Sequence, residues 1–170
     1  GTQIDLTEIR YISELDWPQW TKRVVPQPHD IVFTYEATLG AFAIVPADLR
    51  CCLGRRLALV RPKTGQLDYC FLFHTFVSKT FQELLMARAN QGSTVNRIPL
   101  IDFPKYPVIW PVRQLIDRFH RLVEPLWSCI HQNQAEARNL VAIRDLLLPK
   151  LISGELRVQD AERMLTDTPV

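Results

Sequence analysis

The chain has 170 residues and a formal net charge of +2, so bulk charge does not announce a nucleic-acid binder and any such role must rest on where the cations sit. Hydrophobic residues make up 47% and charged residues 22%, the balance of a globular protein large enough for one domain and an appendage. No apolar run approaches the roughly 18 residues of a membrane span, and no stretch reads as a secretory signal. Gly1 in place of Met reads as a trimmed or partial chain, and a cytoplasmic location is expected. The cysteines Cys51, Cys52, Cys70 and Cys129 form no CxxC pair and match no zinc spacing, so reduced thiols, no metal and no cofactor are expected.

In chain order, residues 1–29 carry apolar side chains without a clean period, and a short strand is expected at Arg10–Ser13, then a loop through Trp17-Pro18 and Trp20. Ile31–Tyr35 is a β-branched and aromatic run, hence a strand. Glu36–Gly40 reads as a turn with Gly40 as its permissive residue, and Ala41–Val45 as the return strand, ended by Pro46. A further strand is expected at Leu57–Val60. From Tyr69 to Ala89 the period turns helical, with Phe73, Val77, Phe81, Leu84 and Leu85 on one face and Gly92 placed for a C-cap. Ser93–Ile98 reads as a polar loop. Pro104, Pro107 and Pro111 forbid a regular helix, and Tyr106–Trp110 is expected to be a last strand.

A long helix follows, and a seven-residue spacing runs through it. One row holds Phe119, Leu126, Asn133, Leu140 and Leu147, and a second holds Val123, Ile130, Ala137, Arg144 and Leu151. Eight of these ten are apolar, the narrow seam of a helix built to lie along one partner helix. Asn133 in the seam serves register, and Arg144 can snorkel while its stem packs. Pro125 is expected to kink or break the helix near Leu122. Gly154 closes the helix, and Glu155–Val158 reads as a short extended tail. No other long helix carries a matching seam, so the partner is expected from another chain or from a part of the protein absent here. An ordinary amphipathic surface helix would share this spacing.

Catalysis finds little support. His29, His74, His120 and His131 have no Cys, Ser or carboxylate at the spacing of a known nucleophile or metal motif. Ser93 lacks the glycine pattern of a nucleophile elbow, and there is no Gly-rich phosphate loop.

Four stretches, in order, resemble the DNA-specificity subunit of type I restriction-modification systems. His29-Asp30-Ile31-Val32-Phe33, Thr38-Leu39-Gly40 and Ala43-Ile44-Val45-Pro46 are similar to the family's Gly-Asp-Ile strand, small-residue turn and return strand, with His29 standing where the family has Gly. Gly92-Ser93-Thr94-Val95 to Ile98 is similar to its Gly-Ser-Thr loop, and Pro107–Pro111 to its apolar exit ending in Pro. Leu140–Leu156, with its Leu-Pro-Lys-Leu-Ile-Ser-Gly-Glu-Leu end, is similar to the family's conserved helix and is the longest of the four. The resemblance covers the chain from about Tyr11, and it implies the second half of a target-recognition domain plus its helix. It implies an α+β fold: a mixed α/β recognition domain over residues 1–111, a coiled-coil helix over 112–154 and a tail over 155–170. It further implies a non-catalytic subunit that reads half of a split site on double-stranded DNA. Its helix would pair antiparallel with a second copy or half-subunit, and would dock methyltransferase subunits and through them the restriction subunit.

Base reading needs polar side chains on loops, and phosphate binding needs cations. The hairpin tip offers Thr34, Tyr35, Glu36 and Thr38. The loop after the helix offers Arg88, Asn90, Gln91, Ser93, Thr94, Asn96 and Arg97. Lys22, Arg23, Arg50, Arg55, Arg56 and Lys63 are suited to phosphates. Polar turns and solvated charges occur in every protein, so two other readings stand beside this one. The first is a helical dimerisation module with a recognition domain that no longer binds DNA. The second is a nucleic-acid enzyme of another kind, which a metal ion or a deep polar pocket would support.

Overall fold

In a computed structural model, the structure describes residues 2–6, 9–63, 65, 67–89 and 95–156. The fold is α+β. In order come α1 (Trp17–Trp20), β1 (Ile31–Thr34), β2 (Phe42–Ile44), β3 (Leu57–Val60), α2 (Tyr69–Val77), α3 (Lys79–Arg88), a 3-10 turn at Phe103–Lys105, and the long α4 (Arg113–Ile152). The chain divides into two units, Gly1–Glu124 and Pro125–Val170.

The three strands form one antiparallel sheet in the order β2-β1-β3, with Phe33 opposite Phe42 and Ala58, and Ile31 opposite Ile44 and Val60. Ile31, Val32 and Phe33 are all buried, as are Phe42, Ala43 and Ile44, instead of alternating in and out. The reason is that both faces of the sheet are covered. One face carries Phe33 and Phe42, stacked at 5.0 Å, against Phe76 and Phe103 at 5.1 and 4.6 Å. On the other, Val32, Ala43 and Val45 pack with Ile4, Leu53 and Leu59. Aromatic pairs of this kind contribute about 0.5–1.5 kcal/mol each beyond the burial itself.

The expected single helix over Tyr69–Ala89 is two helices that meet at Ser78. Ser78 leaves helical geometry (φ −63°, ψ 146°), donates its hydroxyl to the Thr75 carbonyl, and accepts from the Phe81 N–H to cap α3. The bend sets Phe76 and Phe81 side by side at 4.9 Å. Gln82 then reaches back, donating to the Phe76 carbonyl and to the carbonyl of Gly40 in the hairpin turn. Gly40 has φ +72°, and a Cβ there would lie 2.7 Å from Leu85 and 2.8 Å from Gln82. The turn therefore needs Gly both for its backbone and for its approach to α3.

Two expected strands are absent. Arg10–Ser13 forms none: Ser13 accepts from the Asp16 N–H and sets up α1 instead, and Tyr11 stands 89% exposed with no strand beside it. Tyr106–Trp110 forms none either, because Pro107 has no N–H to offer a ladder and Ile109 lies in water. Pro104 sits inside the 3-10 turn before it, near the start of the turn, where the missing N–H costs nothing. Helix α4 runs through Pro125 and Pro149 as one helix, so of the kink or break expected near Leu122 the break does not occur. Both prolines are exposed, as are Arg121 and Asp145 one turn back, so the carbonyls left without an N–H partner are solvated. Gly154 (φ +75°) closes the helix as expected, with its N–H on the Leu151 carbonyl.

At the start of β1 lies the one buried charged side chain among the described residues, Asp30, 2% exposed. Arg61, just past β3, meets both its oxygens at 2.8 and 2.6 Å, and the Gln27 N–H donates to one of them. The same guanidinium donates to the Val25 carbonyl. His29 beside it holds φ 71°, a conformation that favours Gly, and its ring stacks on Tyr69 at 4.2 Å. Arg61→Ala would leave the Asp30 charge buried and unpaired. It is expected to lower stability by about 3 kcal/mol, read as a lower urea midpoint at unchanged slope. Arg61→Lys, without the planar fork, should recover less than half of that loss.

Candidate nucleic-acid interface

Three segments of low regularity meet at one end of the sheet: the β1–β2 turn, the approach to β3, and residues 95–98. Backbone bonds hold them together. The Tyr35 N–H donates to the Arg56 carbonyl, the Ile98 N–H to the Tyr35 carbonyl at 2.8 Å, and the Ala37 N–H to the Asn96 carbonyl at 3.2 Å. Ala37 takes φ 66° to make the turn. Ile98 is fully buried and anchors its segment, so its neighbour Arg97 points outward.

The side chains follow from that frame. Arg97 lies opposite Glu36 in an isolated β-bridge and binds its carboxylate at 2.7 Å, and Arg56 approaches the other oxygen at 3.9 Å. The carboxylate side chain is 20% exposed, whereas Arg97 and Arg56 are 59% and 66% exposed. One half-buried anion thus holds two guanidinium groups at the surface, with Arg55 exposed beside them. In water such a pair contributes little, about 0–1 kcal/mol, so both arginines remain available to a stronger anion.

The structure gathers Thr34, Tyr35, Glu36, Thr38, Arg55, Arg56, Asn96 and Arg97. Not all present free polar groups. Thr34 accepts from the Ala41 N–H and closes the hairpin, and the Tyr35 hydroxyl donates to the Arg55 carbonyl. Thr38 and Asn96 are exposed. Arg88 stands apart from this group of contacts, its guanidinium 4.9 Å above the Tyr106 ring. Arg50 pairs with Glu14 and lies over Trp17, while Lys22, Arg23 and Lys63 are exposed. Asn90, Gln91, Ser93 and Thr94, together with the Gly92 cap, lie outside the described residues.

Along α4, the expected seam splits into two environments. Ile116 is buried, and Phe119 meets Phe71 and His74 of α2 at 5.7 and 5.4 Å, so the first seam residue packs inside its own chain. Val123 is half-buried. Further on, Leu126 and Leu140 are 62% and 59% exposed, Asn133, Ala137 and Arg144 are exposed, and Ile130, Leu147 and Leu151 are half-buried. Leu146 and Ile152 add to the open apolar surface. Arg144 pairs with its neighbour Asp145 at 2.7 Å.

A second polar cluster, unforeseen from spacing, lies at the start of α2. Asp68 caps the helix through the Phe71 N–H, and His120 of α4 brings Nδ1 to 2.6 Å from its other oxygen. Cys70 is fully buried next to them. Burial pushes its thiol up to about 11, and burial likewise holds the His74 imidazole below its usual range. An Asp at the head of a helical run, with Cys two residues on, is visible in the sequence. Its meeting with a histidine fifty residues later is not.

No family model matches the chain. It is 40% identical over 70 residues to the type I restriction enzyme MjaIX specificity subunit of Methanocaldococcus jannaschii, a match covering 41% of this chain and 16% of that protein. Over 86 residues it is 29% identical to the type I restriction enzyme HindI specificity subunit of Haemophilus influenzae, covering 51% of this chain and 19% of the relative. The matches thus span less than a fifth of the length of these curated relatives, and the resemblance to specificity subunits stands on them.

Glu36→Gln removes the anion that competes for Arg56 and Arg97. Stability is expected to change by less than about 1 kcal/mol. Affinity for duplex DNA of arbitrary sequence should rise, and its dependence on log salt should steepen by about one to two. Fluorescence anisotropy on one duplex at several salt concentrations checks this; an unchanged slope would show that the cluster does not meet DNA.

Proposed function

We propose that this chain acts in DNA sequence recognition as a specificity component of a type I restriction-modification complex, with no catalysis of its own. In this reading residues 1–111 belong to a target-recognition domain that reads half of a bipartite site, and residues 112–154 are a helix that pairs with a second helix and docks methyltransferase subunits. The observation that carries it is the convergence of Arg55, Arg56, Asn96 and Arg97 around Glu36 on irregular backbone held by a rigid sheet end. Loops fixed by a scaffold are where recognition groups are placed. Exposed guanidinium forks suit guanine edges and phosphates, and an amide suits adenine. Both relatives are type I restriction enzyme specificity subunits, which supports the same assignment.

The helix is the second support. The apolar side chains open beyond Pro125 are more than scattered surface residues, since they recur at heptad spacing. An antiparallel partner helix, from a second copy or another half-subunit, would cover them. The alternative, a dimerisation module that has lost DNA binding, rests on this surface alone and leaves the arginine cluster without a role.

Arg97→Ala is expected to weaken binding to the target. A bidentate guanine contact would cost about 1–3 kcal/mol and relax preference at one base pair. A phosphate contact would cost the same on all sequences and reduce the salt slope by about one. Binding over single-base variants of the target, with the methyltransferase present, distinguishes these outcomes. Arg97→Ala binding every variant as the native chain does would sink the cluster as the reading surface.

Changing Leu126, Ile130 and Leu140 together to Asp places three charges on the apolar row. The expected result is a monomer by light scattering and loss of assembly with the methyltransferase, while the circular dichroism of the first unit is kept. A mass equal to that of the native chain would show that the row is not an interface.

A further inference from the structure

We infer that Asp68, Cys70 and His120 form a site for a divalent transition-metal ion of the zinc class, which ties the first turns of α4 to the N-terminus of α2. Each residue offers one ligand atom, and the carboxylate oxygen, the thiol sulfur and the imidazole nitrogen lie within 4.8 Å of one another. They come from two elements of the same unit, fifty residues apart in sequence.

The contact between His120 and Asp68 is the second observation. Nδ1 is 2.6 Å from Oδ2, yet the nitrogen is buried and has no partner in hydrogen-bond geometry. The two donor atoms meet without a hydrogen bond of good geometry, and parting them to the roughly 3.3 Å that separates two donors on one tetrahedral ion would let both face a shared metal. A buried nitrogen left in this way carries a desolvation cost, and an ion would remove it. The other carboxylate oxygen is held by the Phe71 N–H at 2.8 Å, which fixes the group and leaves Oδ2 for the metal. The Tyr69 ring stands edge to face with His120 at 5.9 Å and is itself stacked on His29, so the imidazole is held in place from the side.

The donor set selects the ion. Sulfur and imidazole nitrogen with one carboxylate suit zinc, whereas magnesium and calcium prefer oxygen throughout. Glu124 lies four residues after His120 on the same side of α4, and its charge acts on the Cys70 thiol. Its carboxylate is the candidate for the fourth position. The positive end of α2 opposes a cation with roughly half a charge. The Asp68 carboxylate and a Cys70 thiolate supply two negative charges against it. Binding releases the thiol proton to solvent, so affinity should rise with pH.

The competing account is a plain Asp68–His120 ion pair with Cys70 as a core residue. Cobalt distinguishes the two, because a thiolate–cobalt bond gives a near-ultraviolet charge-transfer absorption that an ion pair cannot. The full chain, freed of metal with a chelator, is titrated with Co2+ and then with Zn2+. The expected result is saturation at one equivalent with that absorption, bleaching by Zn2+, and a rise in thermal midpoint with Zn2+. Cys70→Ser should abolish the absorption and Cys129→Ser should keep it. His120→Gln, at a partly exposed position, should keep the far-ultraviolet circular dichroism and lower cobalt affinity at least about 100-fold; it decides the matter if the buried Cys70→Ser variant does not fold. Absence of the absorption in the native chain, or its persistence in His120→Gln, overturns the site.

Discussion

The Asp30 carboxylate is the charge on which the sheet is assembled. It stands at the head of β1, the central strand, and is out of water. A buried carboxylate is tolerated only when its oxygens are filled, and Arg61 and the Gln27 N–H fill them. Arg61 follows directly on β3, so the pair joins the two ends of neighbouring strands and draws in Val25 as well. The backbone of Asp30 takes part too, accepting from the Val45 N–H just past β2. One residue thereby fixes the register of three strands at one end and leaves the other end to irregular turns. His29 accepts a left-handed backbone next to it, and its stacking on Tyr69 gives back part of that strain.

The free end of the sheet is where Glu36, Arg56 and Arg97 gather, and the helices hold it in place. Gln82 links the α2–α3 bend to the carbonyl of Gly40, so the hairpin turn is braced from behind. A braced turn presents Glu36 at a set position, and Glu36 in turn orders Arg56 and Arg97. Ordering long cations before they meet a partner lowers the entropy cost of the encounter. The weak surface pairing orients the guanidinium groups while leaving them largely exposed.

Helix α4 carries two kinds of surface along one row of the heptad. Before Pro125 that row turns inward: Phe119 lies against Phe71 and His74 of α2, and Val123 is half-buried, with Ile116 buried beside them in the first unit. From Leu126 onward its apolar side chains are largely open. Ile116, Phe119 and His120 make the start of the helix an integral part of that unit, which explains why the division between units falls at Glu124–Pro125.

Local chemistry by itself determined the three strands, the Gly40 turn, the helical character of Tyr69–Ala89, and the long helix with its Gly154 stop. Each rests on a contiguous run or a single backbone requirement, which a sequence displays directly. The tertiary structure decided the rest. Arg10–Ser13 and Tyr106–Trp110 have strand-like composition, but a strand exists only where another offers its hydrogen-bonding edge. Ser78 is an ordinary polar residue until the packing of Phe76 on Phe81 makes its cap worth breaking a helix for. The seam is legible as a row, yet periodicity does not say which part of a row meets its own chain: the row alone points Phe119 at an outside partner, and Phe119 lies on α2. The arginines around Glu36, and the meeting of Asp68 and Cys70 with His120, join residues sixty-one and about fifty positions apart. Spacing arguments cannot see such contacts, because distance along the chain ceases to measure distance in space once the core has closed.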